Sequence, residues 1–248
     1  MDKYGVGAKH TTKYGECIEI TKIIDYEKRN VRFENGYEVF ADMGSIRRGT
    51  VRNPYRFSVY GVGFLGIGDY KAKLNFKNTS EYEVWTSMLK RCCNEKYQEK
   101  HPTYKGVTVC ENWRNFQNFA RFYNDNHPKV DGIKFHLDKD LLQQSVKNKI
   151  YSPDTCIFLP HNINTFLNNK YSTNTSGYIG VNWNKKDKKW KSQIRLFEEG
   201  KQKYLGYFST PELASQVYQE AREIEVEKAK NYLRSLNYLP EHIIQLIK

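Results

Sequence analysis

The stretch FHLDKDLLQQSVKNKIYSPDTCIFLPHNIN, residues 135–164, decides the fold of the central part of the chain. Apolar runs at its start and at CIFLP are predicted to be strands, and the segment that begins at His161 is predicted to open a helix. His136, Asp138 and Asp140 are spaced two apart, so on an extended strand their side chains would share one face. Taken alone, an Asp-Lys-Asp triplet is more typical of a solvated turn, so the interpretation depends on the surrounding sequence.

The composition of the whole chain favours a polyanionic partner. The 248 residues carry a formal net charge of +12, and they include 19 Tyr, 13 Phe and 4 Trp. A basic excess attracts polyanions, and basic residues interleaved with aromatic ones suit nucleic acid better than a lipid surface. The alternative is that the charge serves solubility alone.

Membrane and disulfide-rich classes are not indicated. No stretch approaches the ~18 consecutive apolar residues of a membrane span, and MDKYGVGAKHTTKYGE lacks the apolar segment of a secretory signal. The cysteine count is odd and contains no CxxC pair, which predicts reduced thiols in a cytosol and no structural zinc site. The five are Cys17, Cys92, Cys93, Cys110 and Cys156.

Residues 1–75 are predicted to form a small β-barrel-like module, either an antiparallel barrel or a curled sheet. Residues 16–42 alternate as strands do, and Asn35-Gly36 predicts a tight hairpin in which both residues take positive φ. IRRGTVRNPY and GVGFLGIGDY add short apolar runs broken by Gly and Pro. The module shows no set of reactive groups, so we expect it to dock a protein partner or clamp DNA.

Residues 80–170 are predicted to begin with two helices and to continue into the strands described above. Ser80 opens a helix whose apolar residues fall on one stripe, which is typical of a core face. The members of this stripe are Tyr82, Trp85, Met88, Leu89 and Cys92. A second stripe follows, consisting of Trp113, Phe116, Phe119 and Phe122 with Tyr123.

Residues 171–248 are predicted to form a polar linker, YSTNTS, a three-stranded sheet and a helix that starts near Thr210-Pro211. Eight Lys or Arg residues stand against three acidic ones between residues 177 and 210. Lysines at this density neutralise phosphates, while Asn, Gln and Arg can contact base edges. The whole chain is thus predicted to be α+β, with three modules.

The C-terminal segments SGYIGVNWNKKDKKWKSQIRL and YLGYFSTPELASQVY resemble the plant APETALA-two (ethylene-response-factor) DNA-binding domain. The resemblance implies a three-stranded antiparallel sheet on one helix, with the sheet in the DNA major groove. The plant domains are richer in Arg there, so base specificity is not implied. The DNA-binding candidates are Asn182, Asn184, Lys185, Lys186, Trp190, Lys191, Gln193, Arg195 and Lys203.

The middle segments VWTSMLKRCCN, YKGVTVCENWRNFQNF, LDKD and YSPDTCIFLPHNIN resemble phage-encoded homing-type HNH endonucleases, which have a ββα-metal core. The resemblance implies cleavage of DNA phosphodiesters with one divalent ion, Mg²⁺ or Mn²⁺, held by Asp138 and Asn164. Two positions depart from the pattern. Lys139 stands where the family has its general-base histidine, and Thr155 stands in place of the middle asparagine.

Lys139 is a poor candidate for a general base. A free lysine has a pKa of about 10.4, so deprotonation at pH 7 would cost about 4.6 kcal/mol. A neighbouring aspartate and a DNA phosphate oppose that shift, so we expect Lys139 to contact phosphate as a cation. His161 and His136 remain as candidates to activate water. A surface or helix-capping role for either histidine is an equal alternative.

The sequence therefore predicts a metal-dependent endonuclease acting on double-stranded DNA in the cytoplasm of a phage-infected bacterium. The alternative is a catalytically inactive DNA-binding protein, a regulator or anti-defence factor, on the same scaffold. The two differ in whether Asp138, Asn164 and a histidine converge. A protein-interaction adaptor is a third class, and no motif supports it.

Overall fold

The computed structural model describes residues 2–167 and 176–248. The chain divides into two compact units, Met1–Asp69 and Tyr70–Lys248. The segments that the sequence separates at residues 170 and 171 thus belong to one unit. The predicted linker lies, apart from Ser176, outside the described residues.

The N-terminal unit is built on a four-stranded antiparallel sheet in which each strand pairs with the next one. Alternate side chains of its two central strands are buried, which confirms the strand pattern predicted for residues 16–42. The elements are β1 (Lys9–Thr11), β2 (Cys17–Ile23), β3 (Lys28–Phe33), β4 (Glu38–Asp42) and α1 (Met43–Arg47). The core residues are Ile18, Ile20, Val31, Phe33, Ala41, Ile46 and Val51.

The hairpin between β3 and β4 is present, but its turn differs from the prediction. Gly36 takes a φ of +85°, whereas Asn35 stays at negative φ. The Phe33 N–H donates to the Tyr37 carbonyl, and the Gly36 N–H donates to the Phe33 carbonyl. These bonds define a three-residue loop with one left-handed glycine, the second common hairpin type.

Of the two predicted forms, a barrel or a curled sheet, the closed barrel does not form. Residues 43–69 contain α1 and one isolated bridge, Val59 with Gly63, and no further strand. A barrel would also require β1 to pair with β4, and no such pairing occurs among the described residues. The short apolar runs after residue 45 are too rich in glycine and proline to extend the ladder. The sheet is therefore open.

The larger unit contains the remaining elements. Its strands are β5 (Lys73–Leu74), β6 (Lys77–Asn78), β7 (Thr108–Val109), β8 (Phe135–Asp138), β9 (Ile150–Tyr151), β10 (Ile157–Pro160), β11 (Val181–Asn184), β12 (Lys189–Arg195) and β13 (Gln202–Phe208). Its α-helices are α2 (Ser80–Cys93), α3 (Glu95–Lys100), α4 (Phe116–Asn126), α5 (His161–Leu167), α6 (Pro211–Leu236) and α7 (Glu241–Ile244).

The two predicted apolar stripes form a core between α2 and α4. Trp85 of α2 is fully buried, and its Nε1 donates to the Trp113 carbonyl at 2.7 Å. Phe116 and Phe119 of α4 are also fully buried. The indole N–H is thus satisfied inside the core, which removes the penalty of burying it. Both stripes are confirmed as packing faces.

The stretch at residues 135–164 folds as strand, strand and helix. β8 and β10 are antiparallel, with Asp138 opposite Ile157 and His136 opposite Leu159. α5 begins directly after β10, at His161. The short β9 between them pairs in parallel with β7. Because Pro160 lies opposite Phe135 and the His161 N–H donates to the Lys134 carbonyl, the start of α5 lies beside the start of β8.

The C-terminal elements are a three-stranded antiparallel sheet, in the order β11-β12-β13, with α6 against it. This part of the predicted fold class is confirmed. Thr210 caps α6, because its Oγ1 accepts from the Leu213 N–H, and Pro211 follows at the first helical position. α6 has 26 residues, but neither it nor any other described helix is long and apolar enough to cross a membrane.

One apolar core joins these C-terminal elements to the strand-strand-helix segment. Leu159, Ile163 and Phe166 meet Val226, Ala229 and Leu233 of α6, together with Leu141, Phe197, Ile244 and Ile247. Polar contacts cross the same boundary. The Tyr238 hydroxyl donates to the Phe158 carbonyl at 2.9 Å, and the Arg222 guanidinium lies 3.7 Å from the centre of the Phe166 ring.

Gly180 lies where the entry to β11 passes α6. Its φ is +75°, and an added Cβ would collide with the Tyr218 ring and the Gln193 carbonyl. Gly177, three residues earlier, has a φ of +78° and open space where its Cβ would be. The two glycines thus share a backbone conformation and differ in the room beside them.

We expect Gly180→Ala to lower the stability of the larger unit by more than Gly177→Ala. The positive φ costs each alanine about 1–2 kcal/mol, and only Gly180→Ala adds a collision with backbone and a buried ring. Urea unfolding of the two variants measures the difference. Equal losses of unfolding free energy would show that the Tyr218 ring moves aside freely.

Candidate functional site

Residues from β8, the loop after it and α5 line a cleft of about 880 Å³. His136, Asp138, Lys139 and Asn164, four of the five predicted catalytic residues, are in its walls. The fifth, His161, is exposed at the start of α5, and its ring centroid lies 4.8 Å from that of His136. The sequence therefore identified residues that the fold brings together.

Asp138 is buried at the end of β8 and is held by the backbone. Its Oδ1 accepts from the N–H groups of Asp140 and Leu141, at 2.9 and 2.8 Å. Burial raises the pKa of Asp138, although the two backbone bonds act against that rise. Because Oδ1 takes both bonds, Oδ2 is the oxygen that a ligand in the cleft would contact.

Asp140 does not share the strand face, contrary to the prediction. β8 ends at Asp138, and Asp140 stands at the N-terminal end of a 3₁₀ turn, Leu141–Gln143. Its carboxylate faces Lys139 and Lys149. Burial tends to raise the pKa of Asp140, but hydrogen bonds from Lys149 and Lys139 outweigh it, and the net pKa is lowered. Asp140 is thus an ion-pair partner of the two lysines.

Lys139 is buried beside this carboxylate. Its Nζ donates to both oxygens of Asp140 at 2.9 Å and lies 5.2 and 5.8 Å from the ring centres of Tyr104 and Tyr151. A carboxylate and two aromatic faces are the partners that a buried ammonium needs. The expectation that Lys139 contacts phosphate stays a prediction, and its observed partner is Asp140.

Cations from distant parts of the sequence line the same cleft, and sequence spacing had not indicated them. The cleft contains six Lys or Arg residues against two aspartates. Those beyond Lys139 are Arg91, Lys105, Lys147, Lys149 and Lys248. Arg91 contacts the Tyr151 hydroxyl at 3.3 Å. The excess of cations makes the cleft attractive to an anion.

The two histidines differ in their surroundings. Nε2 of His136 is buried and has no hydrogen-bond partner among the described residues, whereas Nδ1 is neither bonded nor buried. Burial lowers the pKa of His136, and nearby His161, Lys134 and Arg91 lower it further. The lowered pKa favours the neutral imidazole, the form that can accept a proton.

Thr155, which replaces the middle asparagine of the resembled family, secures the turn between β9 and β10. Its Oγ1 donates to the Ile150 carbonyl at 2.7 Å and accepts from the Ser152 N–H at 3.1 Å. Gln143 binds the same segment from the other side, through both the N–H and the carbonyl of Ile150. These contacts hold the β9 edge of the cleft in place.

The donors in the cleft fit Mg²⁺ better than zinc. No group of three or more His, Cys, Asp or Glu side chains is arranged to hold a metal within residues 2–167 and 176–248. Burial raises the pKa of both Cys92 and Cys156 to about 12, so these thiols stay protonated. Mg²⁺ keeps several waters and needs only one or two protein oxygens beside a phosphate. Asp138 and Asn164, both in the cleft wall, supply such oxygens.

A second candidate surface is the side of the C-terminal sheet that faces away from α6. Directly paired residues share a face, and the pairs Asn182–Lys191 and Lys191–Tyr207 alternate with the buried Val181, Ser192 and Ile194. We call this the outer face. It also carries Gln193, Arg195 and Tyr204. The two tyrosines are exposed, and their ring centroids lie 5.2 Å apart.

Two of the DNA-binding candidates lie on the opposite face of the sheet. Trp190 pairs with Trp183 and Phe208 on the opposite face, and Lys203 pairs with the buried Ile194. Asn184, two residues after Asn182 on β11, lies on the outer face, where it donates to the Tyr207 hydroxyl. It also accepts from the Lys186 N–H and so shapes the turn that presents Lys185 and Lys186. Its amide is therefore occupied within the protein.

Compared with protein-family models, curated proteins and solved structures, the chain shows no significant match. The likeness to HNH endonucleases and to the APETALA-two domain therefore stays a prediction from the sequence motifs.

Proposed function

We propose that this protein is a DNA endonuclease that binds double-stranded DNA through the outer face and hydrolyses phosphodiester bonds in the cleft. The observation that carries the proposal is the convergence of His136, Asp138 and Asn164 in a cleft where cations outnumber carboxylates. Such a cleft suits a phosphate flanked by a metal-binding carboxylate. The resemblance to phage nucleases adds a setting, the cytoplasm of an infected bacterium.

Asp138 and Asn164 would hold the divalent ion. When bound, the ion would stabilise negative charge on the scissile phosphate and on the leaving 3′ oxygen. The ordered backbone bonds to Asp138 keep its carboxylate in one orientation. The Asp138 carboxylate therefore needs little rearrangement to receive an ion, which is the advantage of a preorganised ligand.

His136 would accept the proton of the attacking water at Nδ1. The water oxygen would bond to phosphorus, the bond to the 3′ oxygen would break, and the 3′ oxygen would take a proton from solvent water. The products would be a 5′ phosphate and a 3′ hydroxyl. Lys149, which is partly exposed, and Lys147 and Lys105 would hold the phosphates on either side. Lys139 stands at the position where the resembled family has its general base. It would act through Asp140, by orienting that carboxylate beside Lys149.

The alternative, a DNA-binding protein without activity, has one observation in its favour. The residue in the general-base position is a buried lysine that is ion-paired with Asp140. Such a lysine cannot activate water, so catalysis depends on His136 or His161. Cleavage, rather than binding, decides between the two functions.

We expect Asp138→Asn to reduce plasmid nicking in Mg²⁺ or Mn²⁺ by at least about 100-fold, because the ion loses its one anionic ligand. The amide oxygen still accepts the two backbone N–H groups, so the fold and the DNA affinity should persist. Asp131→Asn, at an exposed position outside the cleft, is the matched control. A wild-type protein that binds DNA tightly and nicks none of it would establish the inactive alternative.

Substitution of the histidines identifies the base. His136→Gln should slow single-turnover nicking by about 10²–10⁴-fold, the usual contribution of a general base, and should leave the DNA dissociation constant unchanged. His161→Gln should have a smaller effect, since His161 lies outside the cleft lining. The reverse order of effects would assign the base to His161.

DNA binding through the C-terminal sheet predicts a strong salt dependence. Replacing Lys185, Lys186 and Lys191 by Gln should reduce the slope of log K against log salt by up to about 2.7, or about 0.9 for each phosphate that these lysines no longer neutralise. The same change at Lys9, Lys22 and Lys28 of the N-terminal sheet is the control. Equal effects of the two triple variants would show that only net charge matters and that the outer face is not the binding surface.

A further inference from the structure

A two-stranded hairpin near the start of the larger unit ends in apolar side chains that no described part of the protein covers. β5 pairs with β6 through Lys73–Asn78 and Leu74–Lys77, and Asn75 and Phe76 form the two-residue loop. Phe76 is 101% exposed, as open as in an extended peptide, and Leu74 is 56% exposed. The Phe76 ring is thus fully exposed to solvent and does not contribute to a core.

The backbone at this loop makes the phenylalanine more unusual. Asn75 and Phe76 have φ of +47° and +63°, the pattern of a type I′ turn. Asn tolerates this conformation, but a bulky residue such as Phe is an outlier there, and Gly or Asn is the normal choice. The turn would form more easily without Phe76, so the requirement for this side chain lies outside the turn.

The base of the hairpin is held firmly. The Tyr70 N–H donates to Gln117 Oε1 at 3.0 Å, and Gln117 Nε2 donates to the Tyr70 carbonyl at 2.9 Å. On the other strand, the Thr79 N–H donates to the Ala72 carbonyl, and Thr79 Oγ1 donates to the Lys71 carbonyl. The hairpin is therefore tied to the starts of both α2 and α4.

The charge around the tip selects the partner. Lys71, Lys73 and Lys77 are exposed, and no ion pair involves them among the described residues. The segment from Tyr70 to Ser80 contains no acidic residue. In DNA, stacked base pairs lie between two strands of phosphates, so DNA complements both the apolar tip and the unpaired lysines beside it. An apolar protein surface would complement the tip but not the lysines.

We propose that this hairpin is a DNA wedge, in which Phe76 inserts between adjacent base pairs while Lys71, Lys73 and Lys77 contact the flanking phosphates. Proteins that kink DNA use apolar side chains of this kind to unstack a base step. The inference rests on the DNA binding in the proposed function and adds a means by which the protein deforms its substrate. It does not depend on cleavage.

The test uses DNA containing 2-aminopurine, whose fluorescence rises when its base step unstacks, at successive positions in a bound duplex. Wild-type protein should raise the fluorescence at one step, and Phe76→Asn should abolish the rise and weaken binding by about 5- to 100-fold, the range for loss of one stacked base. Phe76→Asn should also raise the melting temperature of the protein by about 2–4 °C, because Asn relieves the strained turn. Phe76→Leu should retain the unstacking.

Phe40→Asn is the matched control, since Phe40 is 71% exposed on β4 of the N-terminal sheet and should leave the fluorescence and the affinity unchanged. If wild-type protein binds DNA and Phe76→Asn unstacks the same step with the same affinity, the wedge is wrong, the proposed function stands, and a protein partner for the tip takes its place. If wild-type protein binds no DNA, the wedge and the proposed function fall together.

Discussion

The apolar core that α6 shares with β10 and α5 is the interaction on which the larger unit depends. Leu159, Ile163 and Phe166 are buried against Val226, Ala229 and Leu233. Each large apolar side chain buried in this way contributes about 1.5–3 kcal/mol. α6 also supports the C-terminal sheet. Because α6 packs against both parts, it holds the cleft and the outer face within the same unit.

The cleft remains cationic after its internal ion pairs are counted. Burial of Lys139 and Asp138 would be unfavourable without partners. Asp140 and two tyrosine rings compensate Lys139, and two backbone N–H groups compensate Asp138. Asp140 cannot neutralise both Lys139 and Lys149, so their cluster keeps one positive charge. The other lysines lining the cleft are unpaired in the described residues, and their charge remains available to a phosphate.

The N-terminal unit carries little of the basic excess, because 11 Lys or Arg residues stand against nine Asp or Glu residues between residues 1 and 69. Arg32 lies 3.6 Å from Glu19, and Asn30 donates to Glu38 at 2.6 Å. A surface whose charges nearly balance attracts polyanions weakly. The basic excess that the sequence shows overall thus acts through the larger unit, where the lysines of the outer face, the cleft and the β5–β6 hairpin outnumber the carboxylates beside them.

The sequence by itself determined the elements whose signal is local. The apolar stripes of α2 and α4, the strands of the N-terminal sheet and the strand, strand and helix at residues 135–164 all follow from periodicity that neighbouring residues carry. Asp138 and Asn164 were paired as site candidates from motifs within one short stretch, and both line the cleft. Only the tertiary structure decided which cations join them, because Arg91, Lys105 and Lys248 reach the cleft through folding of distant segments. It also decided that Asp140 turns away from the strand towards Lys149, that Trp190 lies opposite the outer face, and that the first module stays an open sheet. These outcomes depend on strand register and long-range packing, whose free energies are absent from any local window of residues.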